Sequence, residues 1–270
     1  MHKKKHIYSD GSCFEESVLE SKNGIVTIDP LGAYVTSWKV RDPHHHQLLD
    51  ILYRGSSKKR AGIPILFPYF GKAKYIRQHG FGRDSMWHIR ASSQSHIILE
   101  LSSDHIEADA KKEYPYKFHA SLEIKIDDSG SLFYNLSVQN IGNEDLPISP
   151  GIHPYWDIQQ EDKKKIKVKG LQGFDATAFD WDNNPPDIRC AFDKKVILSF
   201  PQRNIYIEDI SEEAKITQIA VWSQAIDKPD FNFVCFEPIC GPDYAIDESP
   251  ILVPSQKEWQ MRLKFLATIL

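Results

Sequence analysis

Ser121-Leu122-Glu123-Ile124-Lys125-Ile126-Asp127-Asp128-Ser129-Gly130-Ser131-Leu132-Phe133-Tyr134-Asn135-Leu136-Ser137-Val138-Gln139 decides the fold class. Leu122, Ile124 and Ile126 alternate with polar Ser121, Glu123 and Lys125. After Asp127-Asp128-Ser129-Gly130 the alternation resumes, with Leu132, Tyr134, Leu136 and Val138 on one face. Side chains of an extended chain point to opposite faces with a period of two. Two such runs around an Asp/Ser/Gly cluster therefore predict a β-hairpin with one dry face and one wet face.

The same pattern recurs outward from that hairpin. Trp259, Met261, Leu263 and Phe265 alternate with Glu258, Gln260, Arg262 and Lys264 near the C-terminus. Ile166 and Val168 sit among Lys165, Lys167 and Lys169, again predicting a strand with a solvated face. Such one-sided strands belong to antiparallel sheets packed on a core. Helical signals are sparse. The best candidate runs from Asp104 to Lys112, with Asp104 as N-cap and Pro115 limiting its extension. Strands separated by turns, with few helices and no strand–helix alternation, predict an all-β antiparallel sandwich. Asp182-Asn183-Asn184-Pro185-Pro186-Asp187 reads as an irregular loop, but no linker divides the chain, so residues 1–270 are expected to form a single domain.

Composition excludes several classes of function. A net charge of −4 offers no broad basic field for nucleic acid. No run approaches the roughly 20 apolar residues of a membrane helix. The basic start Met1-His2-Lys3-Lys4-Lys5-His6 is followed by Ile7-Tyr8-Ser9-Asp10-Gly11-Ser12, which lacks the apolar run of an export signal. A cytoplasmic location is expected. Cys13, Cys190, Cys235 and Cys240 match neither a zinc motif nor a disulfide framework and read as free thiols.

Four segments carry residues suited to chemistry. Arg60-Ala61-Gly62-Ile63-Pro64-Ile65-Leu66-Phe67-Pro68-Tyr69-Phe70-Gly71 is apolar yet holds two prolines, poor material for a central strand. It reads either as packing or as a rigid cleft wall with Arg60 at its mouth. Gln78-His79-Gly80-Phe81-Gly82-Arg83 combines a histidine, two glycines that permit close backbone approach, and an arginine fork for oxygens. It also reads as a surface loop. In Gly151-Ile152-His153-Pro154-Tyr155-Trp156, Pro154 holds His153 extended. Tyr155 offers a flat apolar face to a sugar ring, and Trp156 fits the core equally well. Phe233-Val234-Cys235-Phe236-Glu237-Pro238 closes an apolar strand with a carboxylate, whose burial raises its pKa. The alternative is a strand-end carboxylate facing water.

His44-His45-His46 lacks a convergent partner in sequence and is not read as a metal site. Ser56-Ser57-Lys58-Lys59-Arg60 reads as a solvated basic loop that leads into the first segment and could draw an anionic substrate.

Taken in order, these segments resemble the aldose 1-epimerase (mutarotase) superfamily, including its hexose-6-phosphate 1-epimerase branch. Arg60 to Gly71 is similar to the family's Arg-Gly-Gly-Ile-Pro-…-Phe-Pro-…-Phe-Gly stretch, with Ala61 for one glycine. Gln78 to Arg83 is similar to Gln-His-Gly-Phe-Ala-Arg, with Gly82 for alanine. His153 and Glu237 match the family's His and Glu-Pro positions. The resemblance spans residues from about 20 to 268. It implies a galactose mutarotase-like antiparallel β-supersandwich and interconversion of α and β anomers of a hexose or hexose 6-phosphate. It implies His153 as general acid, Glu237 as general base and His79 as a hydrogen-bonding catalytic residue. Arg60, Arg83, Gln78, Tyr155 and an aspartate are expected to bind the sugar. Asp187 is the best placement for that aspartate, with Asp180 and Asp182 competing. No metal and no cofactor are expected. The expected partner is a small-molecule aldose or aldose phosphate, with no nucleic acid or membrane involved, and the chain itself a monomer or weak homodimer. A non-catalytic carbohydrate-binding or regulatory protein using the same cleft is the alternative.

Overall fold

The computed structural model describes residues 2–7, 13–57, 60–74 and 77–270, with side chains from residue 16 onward within those ranges. Lys58 and Lys59 of the basic loop lie outside the described residues, as does the side chain of Cys13. The predicted hairpin forms from strands Phe118–Ile126 and Leu132–Asn140, with Leu122 opposite Leu136 and Ile124 opposite Tyr134. Asp127 closes its turn by accepting the Ser129 and Ser131 amides at 2.9 Å each. Strand Glu258–Ile269 pairs with the other side of Leu132–Asn140 and sets Met261 beside Leu136. Leu122, Ile124, Leu136, Met261 and Leu263 are all fully buried. Burial of each such side chain contributes about 1.5–3 kcal/mol, which fixes the register because a one-residue slip turns the whole set outward.

Among the described residues the strands form a five-stranded sheet, a thirteen-stranded sheet and a two-stranded pair, and every pairing between strands is antiparallel. The large sheet is continuous through one long strand, Asp187–Phe200. Its first residues pair with Gln218–Trp222 and its last with Arg203–Asp209, so it passes from one half of the sheet to the other. A ladder of Trp38, Trp156 and Phe265, the first pair edge-to-face at 6.5 Å and the second tilted at 6.0 Å, ties both sheets into the core. This is the all-β antiparallel sandwich that the alternation predicted, with the architecture that the resemblance implies.

The helix differs from expectation. It spans Ala108–Glu113 and begins after an extended Glu107. The Asp104 carboxylate, expected as the cap, instead accepts Lys117 Nζ at 2.8 Å, which leaves it facing solvent. No helix of the described residues is long and apolar enough to cross a membrane.

Candidate active site

The half of the large sheet built from Gly151–Ile152, Tyr155–Asp157, Phe233–Ile239, Gln218–Trp222 and the start of Asp187–Phe200 forms the floor of a cavity of about 780 Å³. Arg60, Gln78, His79, Arg83, His153, Tyr155, Asp187 and Glu237, widely spaced in the chain, all line it. Asp180 and Asp182 do not. Asp180 closes its own turn through Asn183, and Asp182 accepts Gln160 Nε2 at 2.8 Å.

The central pair is set by strand register. Tyr155 pairs with Cys235 and Gly151 with Ile239, so position 153 falls opposite position 237. His153 Nε2 and Glu237 Oε1 lie 3.4 Å apart, with both side chains more than nine-tenths buried. Burial pushes the His153 imidazole well below its ordinary value, helped by the nearby His79 and Arg83. The Glu237 carboxyl is pushed well above its ordinary value, again chiefly by burial, while Arg189 opposes the shift. Both shifts disfavour separated charge and favour one proton held between neutral partners. Tyr155 lines the cavity with one ring face covered. It stacks on His153 at 4.6 Å with planes 7° apart and fixes the imidazole orientation. Trp222 stands edge-on to the same imidazole at 5.8 Å. Trp156, left between roles by the sequence, is in the core.

His79 lines the cavity from the segment 78–83. It adopts φ +68°, a left-handed conformation that costs a non-glycine residue about 1 kcal/mol or more and that is stored by its surroundings. Gly80 follows at φ +65°, where a Cβ would overlap the Phe67 carbonyl. His79 Nδ1 accepts the Gly71 amide at 2.9 Å, so a neutral ring carries its proton on Nε2. Its ring centre lies 5.9 Å from that of His153. Burial, followed by the Arg83 guanidinium, pushes its pKa down to about 3, so the ring stays an uncharged donor at neutral pH.

The sequence did not single out Arg189, Trp222 and Asp243, which share the cavity. Arg189 bridges Asp187 at 2.6 Å and Asp243 at 2.9 Å and lies over the Phe70 ring. The expected sugar-orienting Asp187 is therefore already held by a cation. Asp243 also accepts the Lys72 amide at 3.0 Å, next to the Gly71 amide that fixes His79. Alternation from Asp187 puts Arg189 on the same face and could have flagged it. Asp243 follows the strand in a Gly-Pro turn with no periodic signal. Arg60 lies over the Trp222 ring at 5.3 Å, and Arg83 Nη2 donates to the Gln78 carbonyl at 3.4 Å. Among the described residues neither of these arginines is in an ion pair.

Sequence spacing gave no metal ligands, yet among the described residues the fold brings together one group of three. His153, Cys235 and Glu237 hold ligand atoms within 4.8 Å of one another. In the His44–His46 tract, only His45 meets an acid, Asp42 at 2.8 Å, and no third ligand joins them among the described residues.

The fold is thus a large antiparallel sandwich whose cleft joins buried histidines to a buried glutamate. The family model described as aldose 1-epimerase matches residues 17–196, and the chain belongs to that family. A protein of Cenchrus ciliaris, provisionally named a glucose-6-phosphate 1-epimerase, is 24% identical, with 95% of this chain and 85% of that protein covered. A solved structure from Synechocystis sp. PCC 6803 superposes with a TM-score of 0.76 at 22% identity, covering 94% of this chain and 95% of that one. A galactose mutarotase related enzyme from Lactobacillus acidophilus gives 0.74 at 18% identity, covering 93% and 97%. Family membership supports a mutarotase-type epimerase acting on a small-molecule sugar.

Proposed function

We propose that this protein interconverts the α and β anomers of a hexose 6-phosphate, or of the free hexose, by acid–base ring opening and reclosure. The observation that carries the reading is the 3.4 Å approach of His153 Nε2 to Glu237 Oε1 inside the cavity. The ring oxygen and the hydroxyl oxygen of a hemiacetal are bonded to the same carbon. An acid and a base that serve them must therefore be close neighbours, and this pair is.

With sugar bound, Glu237 as carboxylate takes the proton of the C1 hydroxyl while His153 as imidazolium protonates the ring oxygen. The bond from C1 to the ring oxygen breaks and the C1 carbonyl forms. Rotation about C1–C2 turns the other carbonyl face to the hydroxyl, and reversed transfers close the ring as the other anomer. The pair begins as carboxylate and imidazolium and ends as carboxyl and imidazole, so its net charge stays zero throughout. Burial favours the second arrangement, which stabilises the ring-open half of the cycle. The Nε2–H of His79 is suited to donate to the sugar oxygen on which charge develops. No cofactor enters the sequence of steps.

A phosphorylated substrate is favoured by the arginines. Arg189 is neutralised by two carboxylates, whereas among the described residues Arg60 and Arg83 are not in ion pairs and can meet an anion with planar forks. The test is anomer exchange followed by NMR or polarimetry on glucose, galactose and glucose 6-phosphate. His153→Asn and Glu237→Gln are each expected to slow exchange by at least about 10²-fold while melting near the parent temperature. Near-parental exchange in either variant refutes the assignment. Sugar binding with no exchange on any of the three sugars supports a carbohydrate-binding protein instead.

A further inference from the structure

Cys235 is fully buried and takes no part in the proton transfers proposed above, yet it sits beside both groups that do. It lies two residues before Glu237 on strand Phe233–Ile239, so both side chains leave the same sheet face. Tyr155, its cross-strand partner, is two residues from His153. Register therefore aims an imidazole nitrogen, a carboxylate oxygen and a sulfur at one small volume, all within 4.8 Å of one another.

We propose that His153, Cys235 and Glu237 form an inhibitory site for a thiophilic divalent cation of the zinc type. Zinc–ligand bonds of about 2.0–2.3 Å imply separations of roughly 3.3–3.8 Å between tetrahedral ligands. The His153–Glu237 pair is already at 3.4 Å, and the sulfur has at most about 1.5 Å to close to reach those separations. Three protein ligands leave the fourth position open toward the cavity, for water or a sugar hydroxyl. The donor set is mixed nitrogen, oxygen and sulfur, which zinc accepts and magnesium or calcium does not favour. Charge does not exclude a cation, since Asp84, Asp187, Glu237 and Asp243 face Arg60, Arg83 and Arg189 across the same cavity. On binding, the thiol proton and the proton shared by His153 and Glu237 leave to solvent, and three metal–ligand bonds replace them.

The metal then occupies the lone pairs that the proposed reaction needs, so bound zinc blocks anomer exchange. That inhibitory effect rests on the proposed function; the binding itself does not.

The test titrates zinc sulfate into the metal-free protein by calorimetry and measures exchange in parallel, with each variant's own rate in chelator as its reference. The parent protein is expected to bind one zinc, to lose exchange as the site fills and to regain it on adding EDTA. Cys235→Ala and Cys235→Val are expected to lower zinc affinity by at least about a hundredfold, the upper end of what losing even an outer-shell partner costs. They should keep exchanging at zinc concentrations that silence the parent. Cobalt should give a sulfur-to-metal charge-transfer band in the parent that both variants lack. Two variants guard against a fold defect in one. Absence of stoichiometric zinc binding, or zinc binding and inhibition unchanged by both Cys235 variants, overturns the proposal. Cysteine-dependent zinc binding by a protein that shows no anomer exchange even in chelator keeps the site and refutes the epimerase reading.

Discussion

Acid should destabilise this protein through His79, and the size of the effect follows from its surroundings. Burial and the Arg83 guanidinium hold the folded imidazole at about 3, against 6.5 in an unfolded chain. Between those values the unfolded state binds more protons, so stability falls as pH falls from about 6.5 toward 3. At about 1.36 kcal/mol per unit, moving from pH 7 to pH 5 costs His79 about 2 kcal/mol. His153 is shifted the same way, but Glu237 is shifted upward, so its destabilising contribution is relieved as pH falls toward 4.5. The two members of that pair oppose one another in this window, and His79 has no such partner. His79→Asn isolates the effect. Asparagine tolerates the left-handed φ of +68°, and its amide oxygen can replace Nδ1 as acceptor of the Gly71 amide. Urea unfolding at pH 7, 6 and 5 reads the stability of both proteins. The parent should lose about 2 kcal/mol more than His79→Asn between pH 7 and pH 5. Parallel pH dependence, with the two losses within about 0.5 kcal/mol, refutes the assignment of a neutral buried His79.

Arg60→Ala and Arg83→Ala should each raise KM for glucose 6-phosphate about ten- to a hundredfold more than for glucose, since hydrogen bonds to a charged group are worth about 1.5–3 kcal/mol. Equal losses on both sugars, read by NMR exchange at several concentrations, assign the arginines to ring hydroxyls instead. Exhaustive chelation should leave exchange undiminished, because His153 and Glu237 handle both protons; a loss restored by added zinc or magnesium contradicts the acid–base reading. Gly80→Ala should lower stability in urea by at least about 2 kcal/mol, because its φ of +65° and the Phe67 carbonyl leave no place for a Cβ. A change below about 0.5 kcal/mol shows that the segment around Gly80 adjusts freely.

Much of the sheet was legible because one buried face forces alternation, as in Leu122, Ile124, Leu136 and Met261. The long Asp187–Phe200 strand was not, because Asp193-Lys194-Lys195 interrupts its apolar pattern and Lys194 turns to φ +56°. The helix boundary was misread because Asp104 has a competing partner in Lys117, which local sequence cannot reveal. At the site, His79, His153 and Glu237 stood out because each is a titratable residue set among glycines, prolines or apolar strand residues. Arg189, Trp222 and Asp243 owe their places to cross-strand neighbours such as the Asp187–Trp222 pair. That information lies between distant segments and not within any one of them. The Tyr155 ring was legible as cavity wall but not as the stacking partner of His153, because the stack depends on rotamers that the fold selects.

The sheet explains why the proposed acid and base meet at all. Tyr155 with Cys235 and Gly151 with Ile239 are in one unbroken register, and the 153–237 pair falls midway between them. Pro154 and Pro238 remove backbone donors at that point, and the His153 amide turns aside to the Pro64 carbonyl at 3.0 Å. The ladder thus opens where the two side chains face each other, without losing the register that aligns them. Opposed residues on antiparallel strands have Cα atoms about 4.5–5.5 Å apart, which brings their side chains within reach before any ligand arrives. A slip of one residue turns one partner to the opposite face. The buried Phe233, Val234, Phe236 and Ile239 that resist such a slip therefore hold the proton-transfer geometry as well as the fold.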